Sequence, residues 1–477
     1  MFPHKTKIVC TIGPASRSEE ILREMMRNGM NVVRINFSHG TFEEHQQDVA
    51  LIRSAASKMR RTVSILADLP GPKIRIGHLE TEPMELEKGA AVTLTTENVR
   101  GTPSLIPVDY TKLPDSVARG SVIYLNDGFI ELRVLDIRNG RVHCEVTSGG
   151  ELRSRKGLNL PGAKLFVDAV TARDLEIMGH ALREGIDTFS ISFVETKDDI
   201  LRARQFARER EKSIYVFAKI ERRGAVDNID DILTAADGIM IARGDLGVEV
   251  PIEDVPAIQK MIIHKANIHC RPVITATQML ESMVNSTRPT RAEVTDVANA
   301  IMDGTDAVML SEETAIGRYP VGTVAMMSRI ATSFERYRKE LAWSSTLQEK
   351  LKNDLRNREI TVADAISLNV IEASQALHVP FILTPTAGGM TSRRISRLKP
   401  DSWILAFTGN EDVCRFINFS YGVYPVVADT AEENWYETAI DGLRRSGRVK
   451  EGDRIILTEG KFTGKAGGTD AMGIITL

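Results

Sequence analysis

Over residues 7–69, short β-branched apolar runs alternate with stretches of helical periodicity. Residues 8–12, 31–38 and 62–69 read as strands, and 18–27 and 41–58 as helices opened by capping residues. The alternation predicts parallel βα units. At Pro70 the pattern changes: Gly, Pro and short alternating strands run to about residue 167, with strands expected at 91–95, 121–125, 130–135 and 142–147. Asn126-Asp127-Gly128 and Arg138-Asn139-Gly140 carry hairpin-turn chemistry, so this segment reads as a small all-β insert. The βα rhythm then resumes, with strands expected at 188–194, 213–220, 238–242, 272–277 and 307–311. A charged helical stretch over 334–358 precedes a second α/β segment, with strands expected at 381–384, 403–407, 423–427, 454–458 and 474–477.

Three strands before the insert and five after it give eight βα units, the count of a (β/α)8 TIM barrel; count alone leaves an open doubly wound sheet as the alternative. The expected division is a barrel from 1–69 and 168–340, a β-rich insert over 70–167 and a C-terminal α/β domain over 341–477.

Apolar residues make up 42% of the chain, enough for a full core. The 61 Lys and Arg nearly balance the 64 Asp and Glu, so there is no basic field for nucleic acid. No apolar run has membrane length, and the N-terminus shows no export-signal core. The four cysteines are far apart with no C-x-x-C pair, which points to reduced thiols in the cytoplasm rather than a zinc or dithiol site.

Chemistry in a barrel of this kind collects at the C-terminal ends of the strands, and here those ends are polar. The second carries Arg34, Asn36, Ser38 and His39; the third ends at Asp68; the fourth carries Ser190 and Ser192; the fifth ends Lys219-Ile220-Glu221. The sixth ends Arg243-Gly244-Asp245, the seventh at Thr277 and the eighth at Ser311-Glu312-Glu313. Residues two apart on a strand face the same way, so Lys219 and Glu221 share a face and Ile220 points to the helices. Glu221 and Asp245 can clamp one hard cation, and oxygen ligands favour Mg2+ or Mn2+ over zinc. The plainer alternative is a buried salt bridge between Glu221 and Lys219. Lys219, Arg34 and the Gly-rich turn at 243–247 together describe a phosphate or carboxylate site and metal-assisted phosphoryl or enolate chemistry. In the last domain Thr384, Thr386, Gly389, Thr391, Ser392 and Arg393 lie where a strand gives way to a helix, as either a phosphate cradle or a capped connection.

The segments Thr11-Ile12-Gly13-Pro14, Arg34-Ile35-Asn36-Phe37-Ser38-His39-Gly40, Asp68-Leu69-Pro70-Gly71-Pro72-Lys73, Lys219-Ile220-Glu221, Ala242-Arg243-Gly244-Asp245-Leu246-Gly247 and Thr275-Ala276-Thr277-Gln278-Met279 resemble pyruvate kinase, and the resemblance covers essentially the whole chain. It implies an α/β protein with a (β/α)8 TIM barrel, an inserted small β-barrel lid domain and a C-terminal α/β effector domain. It also implies phosphoryl transfer from phosphoenolpyruvate to ADP, giving pyruvate and ATP, in a cytoplasmic homotetramer. Matched by position, Glu221 and Asp245 resemble the Mg2+ ligands, and Lys219 the cation on the transferring phosphoryl group and enolate. Arg34 matches the phosphate holder, and Gly244, Asp245 and Thr277 the carboxylate pocket, with Thr277 also in the proton relay. Asn36, His39, Arg75 and Lys156 match nucleotide contacts, and the loop at 384–393 matches a site for a phosphorylated effector. The chain departs from many members in Lys73 and Leu69, where Glu and Thr are common, and in Glu312 and Ile316. Lys73 is expected to put an ammonium into the monovalent-cation pocket of Asn36, Ser38 and Asp68, making K+ dispensable. A metal-dependent aldolase on the same barrel and a non-catalytic metabolite sensor are the rival readings.

Overall fold

Eight parallel strands close into a ring: β1 (Lys7–Thr11), β2 (Met30–Asn36), β3 (Ser64–Asp68), β4 (Thr188–Ile191), β5 (Tyr215–Ile220), β6 (Gly238–Ala242), β7 (Val273–Ala276) and β8 (Ala307–Leu310). Each pairs with its neighbours in sequence, and β8 closes on β1, which excludes the open sheet. The computed structural model describes residues 3–126, 128–163, 165–340, 346–428, 435–460 and 469–477. Among them no helix is long and apolar enough to cross a membrane.

Side-chain alternation along β5 gives the barrel wall two apolar faces. Val216, Ala218 and Ile220 face outward into the shell beneath the helices, whereas Phe217 faces inward and fills the barrel interior with Val9, Val32, Leu66, Met240 and Ile274. Phe217 fits because β6 opens with glycine: a Cβ at Gly238 would lie 2.3 Å from the ring. Capping boxes at Thr41 with Glu44, Thr171 with Asp174 and Thr290 with Glu293 start three of the outer helices.

The floor of the barrel is plugged by the C-terminal domain. Its strands β9 (Phe381–Pro385), β10 (Trp403–Thr408), β11 (Val423–Val427), β12 (Arg454–Glu459) and β13 (Ala471–Thr476) are ordered β11-β10-β9-β12-β13, with only β13 antiparallel to its neighbour. Phe419 lies 4.7 Å from Phe217, and Phe416 stacks on Tyr215 at 4.1 Å. A buried ion pair joins the same surfaces: Lys399 Nζ is 2.8 Å from Asp306 Oδ1, and that carboxylate also accepts the Tyr421 and Val273 amides. The charged helical stretch expected over 334–358 takes in the end of one helix, Pro320–Glu340, and a second, Thr346–Asn357.

The insert between β3 and β4 holds a six-stranded sheet and a two-stranded sheet around one apolar core. The pattern predicts its four longer strands. It misses Met84–Leu86, Leu105–Pro107, Gly150–Leu152 and Leu158–Asn159, which are too short to show alternation. Strand β4 stops before its expected end because Phe193 turns the chain at φ 56°.

Lys7 lies under this plug and donates to the Val423 carbonyl at 2.5 Å. Burial pushes its ammonium down to about 7 from the ordinary 10.5, with Asp306 opposing and Arg61 adding to the shift. The unfolded chain therefore binds more protons across that window, so this group's contribution to stability rises with pH from about 7 to about 10 and is least favourable below it. Lys7→Met should unfold roughly 2–4 °C above the parent at neutral pH, the gap closing toward pH ~10. Parallel melting curves across that pH range would refute this.

Candidate active site

The mouth of the barrel is organised around Lys219. Its Nζ donates to Ser192 Oγ at 2.7 Å, pairs with Glu221 Oε1 at 2.8 Å and lies 3.5 Å from Asp68 Oδ1. Burial works against this ammonium, but the carboxylates of Asp68 and Glu221 outweigh it and raise its pKa, so Lys219 stays charged. Burial likewise opposes the Asp68 charge. Arg34, Lys219 and the Ser190 hydroxyl more than offset it and hold the carboxyl below the usual range. Arg34 reaches Asp68 Oδ2 through Nε at 3.0 Å and Nη2 at 2.5 Å, and Nη1 donates to Thr11 Oγ1 at 2.9 Å. Strand register sets this up: Asp68 is the Cα partner of both Asn36 on β2 and Ser190 on β4.

Glu221 is buried, and its Oε2 accepts the Phe193 amide at 2.7 Å. Burial, then the like charge of Asp245, pushes its carboxyl up against the pull of Lys219. Asp245 sits half-buried in the first turn of the helix Arg243–Glu249 and has no hydrogen bond or ion pair among the described residues. Two repelling carboxylates, one free of protein partners, suit a hard cation. Among the described residues no cluster of three or more His, Cys, Asp or Glu surrounds one point, so the remaining ligands would come from substrate oxygens and water, as Mg2+ is usually held.

Beside Asp245 the chain adopts a strained turn. Thr277 and Gln278 both have left-handed backbones, with φ 63° and 54°, unfavourable for a β-branched residue. Arg243 clamps the turn by donating to the Thr277 carbonyl at 2.8 Å and the Ala276 carbonyl at 3.2 Å, with its other end on Asp296 at 2.7 Å. The Gly244 amide donates to Thr277 Oγ1 at 2.8 Å, which orients the hydroxyl. The expectations for Gly244 and Thr277 missed Arg243 as their support; a basic residue flanking a Gly-Asp turn was the available signal. Thr11, which orients Arg34, was missed as well, and Ser192, expected only as a polar strand end, accepts from Lys219.

The other expected residues fall into four groups. Asn36 accepts the Ser38 amide at 3.1 Å on the β2 loop, where Ser38 and His39 are exposed. Arg75 and Lys156 lie in the insert, with Arg75 Nη1 donating to the Arg155 carbonyl at 2.9 Å. Lys73 is exposed at the start of the insert and is not among the partners of Asp68, so in this structure it does not enter the pocket of Asn36, Ser38 and Asp68.

Among the effector residues, Thr386 Oγ1 accepts the Gly389 amide at 2.9 Å and Thr391 shares a hydrogen bond with Thr469 at 2.6 Å. Arg393 requires a correction. Its guanidinium is buried, donates to the Cys270 carbonyl at 3.2 Å and lies over the Phe416 ring, so it faces the barrel rather than the loop. Thr384 and Ser392 are also buried and hydrogen-bonded to each other at 2.7 Å. The reason is helical geometry: residues along one short turn cannot all face the same opening. The loop at 461–468 lies outside the described residues.

Two family models match the chain: pyruvate kinase, barrel domain, over residues 3–324, and pyruvate kinase, alpha/beta domain, over 364–475. The chain belongs to the pyruvate kinase family. It is 50% identical over 475 residues to the pyruvate kinase of Thermococcus litoralis, covering 99% of each chain. It is 45% identical over 474 residues to that of Geobacillus stearothermophilus, covering 98% of this chain and 79% of the relative. A pyruvate kinase structure from Cryptosporidium parvum is similar with a TM-score of 0.91 at 36% identity, covering 99% of this chain and 96% of that one. The chain is a phosphotransferase of this family.

Arg243→Lys keeps a charge but loses the planar fork that holds the turn, so kcat should fall about 10–100-fold with the circular dichroism spectrum intact. Unchanged kcat would show that the turn holds itself.

Proposed function

We propose that this protein transfers the phosphoryl group of phosphoenolpyruvate to ADP at the mouth of the barrel, forming pyruvate and ATP, as a divalent-metal-dependent step of glycolysis. The observation that carries this reading is the buried, permanently charged Lys219 fixed opposite the Arg34 fork. Phosphoryl transfer asks mainly for positioned positive charge around a group that gains and spreads negative charge, and little covalent work from the protein.

In this reading Arg34 grips the phosphate, and Lys219, fixed in place, steadies both the transferring phosphoryl group and the enolate oxygen. Glu221 and Asp245 would hold Mg2+ or Mn2+, which would supply charge neutralisation for the transferring group. The Gly244 amide and the Thr277 hydroxyl seat the substrate carboxylate, and Thr277 helps to deliver the proton that turns the enolate into pyruvate. Asn36, His39, Arg75 and Lys156 bind the nucleotide, the last two from the insert, which acts as a water-excluding lid.

The same reading divides the chain into a barrel (1–69 and 168–340), a lid (70–167) and a C-terminal regulatory domain (341–477). It makes the enzyme independent of K+ through the ammonium of Lys73 at the lid's first joint, which would have to leave its exposed position to reach the cation pocket. A phosphorylated metabolite regulates it at the loop holding Thr386, Gly389 and Thr391, and it works as a cytoplasmic homotetramer. Four buried, unpaired cysteines support a reducing compartment.

Pyruvate formation from phosphoenolpyruvate, ADP and Mg2+ tests the reading, first without K+ and then with it. Full activity without K+, lost on Lys73→Glu and restored by K+, is expected; a requirement for K+ in the parent would remove the role of Lys73 and leave the transfer intact. Lys219→Met should lower kcat by about 10^3-fold or more, and turnover that survives it would overturn the assignment of the lysine.

A further inference from the structure

The insert is tied to the barrel by two chain crossings, and each is held by a buried barrel side chain outside the substrate site. At the first, Asp174 Oδ1 accepts the Gly71 amide at 3.1 Å while Oδ2 accepts the Thr171 amide at 2.7 Å. At the second, Arg222 donates from Nη2 to the Ala163 carbonyl at 3.0 Å and from Nη1 to Glu195 Oε2 at 2.7 Å. The Arg222 side chain is 8% exposed while its Glu195 partner is 39% exposed, so a buried guanidinium makes a charge-assisted hold at the edge of the interface. Glu195 is packed for the purpose: a Cβ at Gly224 would lie 2.5 Å from its Oε1, and Asn228 donates to its carbonyl at 3.0 Å.

Arg222 directly follows Glu221. Lys219 and Glu221 face the barrel mouth, and the next residue turns to the insert, so a run of four residues joins the charged site to the lid. We propose that Arg222 is a positioning residue for the nucleotide. By holding the second crossing against the barrel, it sets how far Arg75 and Lys156 stand from the mouth. A planar guanidinium satisfies the Ala163 carbonyl and Glu195 together, which an ammonium does only in part. The inference rests on the reading that the insert carries nucleotide contacts.

Arg222→Met, Arg222→Lys and Glu195→Gln in the full chain test it by steady-state kinetics and by deuterium uptake of the peptide spanning 161–170. For Arg222→Met the KM for ADP should rise about tenfold, the loss of roughly one charge-assisted hydrogen bond, while the KM for phosphoenolpyruvate stays within about twofold. Deuterium uptake at the second crossing should quicken, while that over 69–73, held by Asp174, should not. Arg222→Lys and Glu195→Gln should show the same selective rise at about threefold, and they carry the test if the methionine variant fails to fold. Faster exchange with an unchanged KM for ADP would make Arg222 merely structural, and an equal rise in both KM values would mean general damage; either overturns the proposal. A parent enzyme that makes no pyruvate overturns the underlying reading instead, and that is seen before any variant is compared.

Discussion

A buried ammonium tolerates its position only if counter-charges are built around it, and Lys219 imposes that requirement on much of the barrel mouth. Asp68 and Glu221 supply the charge, Ser192 supplies a hydrogen-bond acceptor, and Arg34 shares Asp68 from the other side. Those groups come from β2, β3, β5 and the segment after β4, so the set is complete only when those elements are in register. One-residue slippage of any of these strands would turn its side chain toward the helices and leave a charge buried without a partner.

The strand carrying Lys219 links the floor of the barrel to its chemistry. Tyr215 and Phe217 meet the aromatic plug of the C-terminal domain, Lys219 and Glu221 meet the substrate side, and Arg222 meets the insert. All three domains therefore touch one short segment. The period of the strand assigns these contacts, because alternate residues face the barrel axis while Val216, Ala218 and Ile220 pack outward. The plug also buries polar groups, Lys399 with Asp306 and Lys7 with a carbonyl, and satisfies them internally rather than with water.

Much of this was legible in the sequence. Eight strands follow from the alternation of period-two and helical runs, and the polar strand ends mark the active end. Lys219 and Glu221 share a face by spacing alone. The short strands of the insert escaped because two or three residues show no period. Arg243 and Ser192 were seen as polar strand ends, but their roles escaped because their work is to hold another residue, which depends on who sits across the barrel. Arg393 was misread for a related cause: on a short helix only some positions reach the loop, while Ser392 is buried against Thr384 and Arg393 faces the barrel and meets Cys270.

Local pattern therefore determined the element types, the count of eight βα units and the pool of charged residues, since strand and helix periods and turn chemistry act over a few neighbouring positions; that the eight strands close on one another was decided by the pairing of β8 with β1. Tertiary structure decided which members of that pool meet. Asp68 is shared between Arg34 and Lys219, the Asp245 side chain is left without a partner among the described residues, Lys73 lies at the surface and Arg222 reaches the insert. Burial and pairing are properties of space, and residues far apart in the chain compete for the same carboxylate only once the barrel has closed.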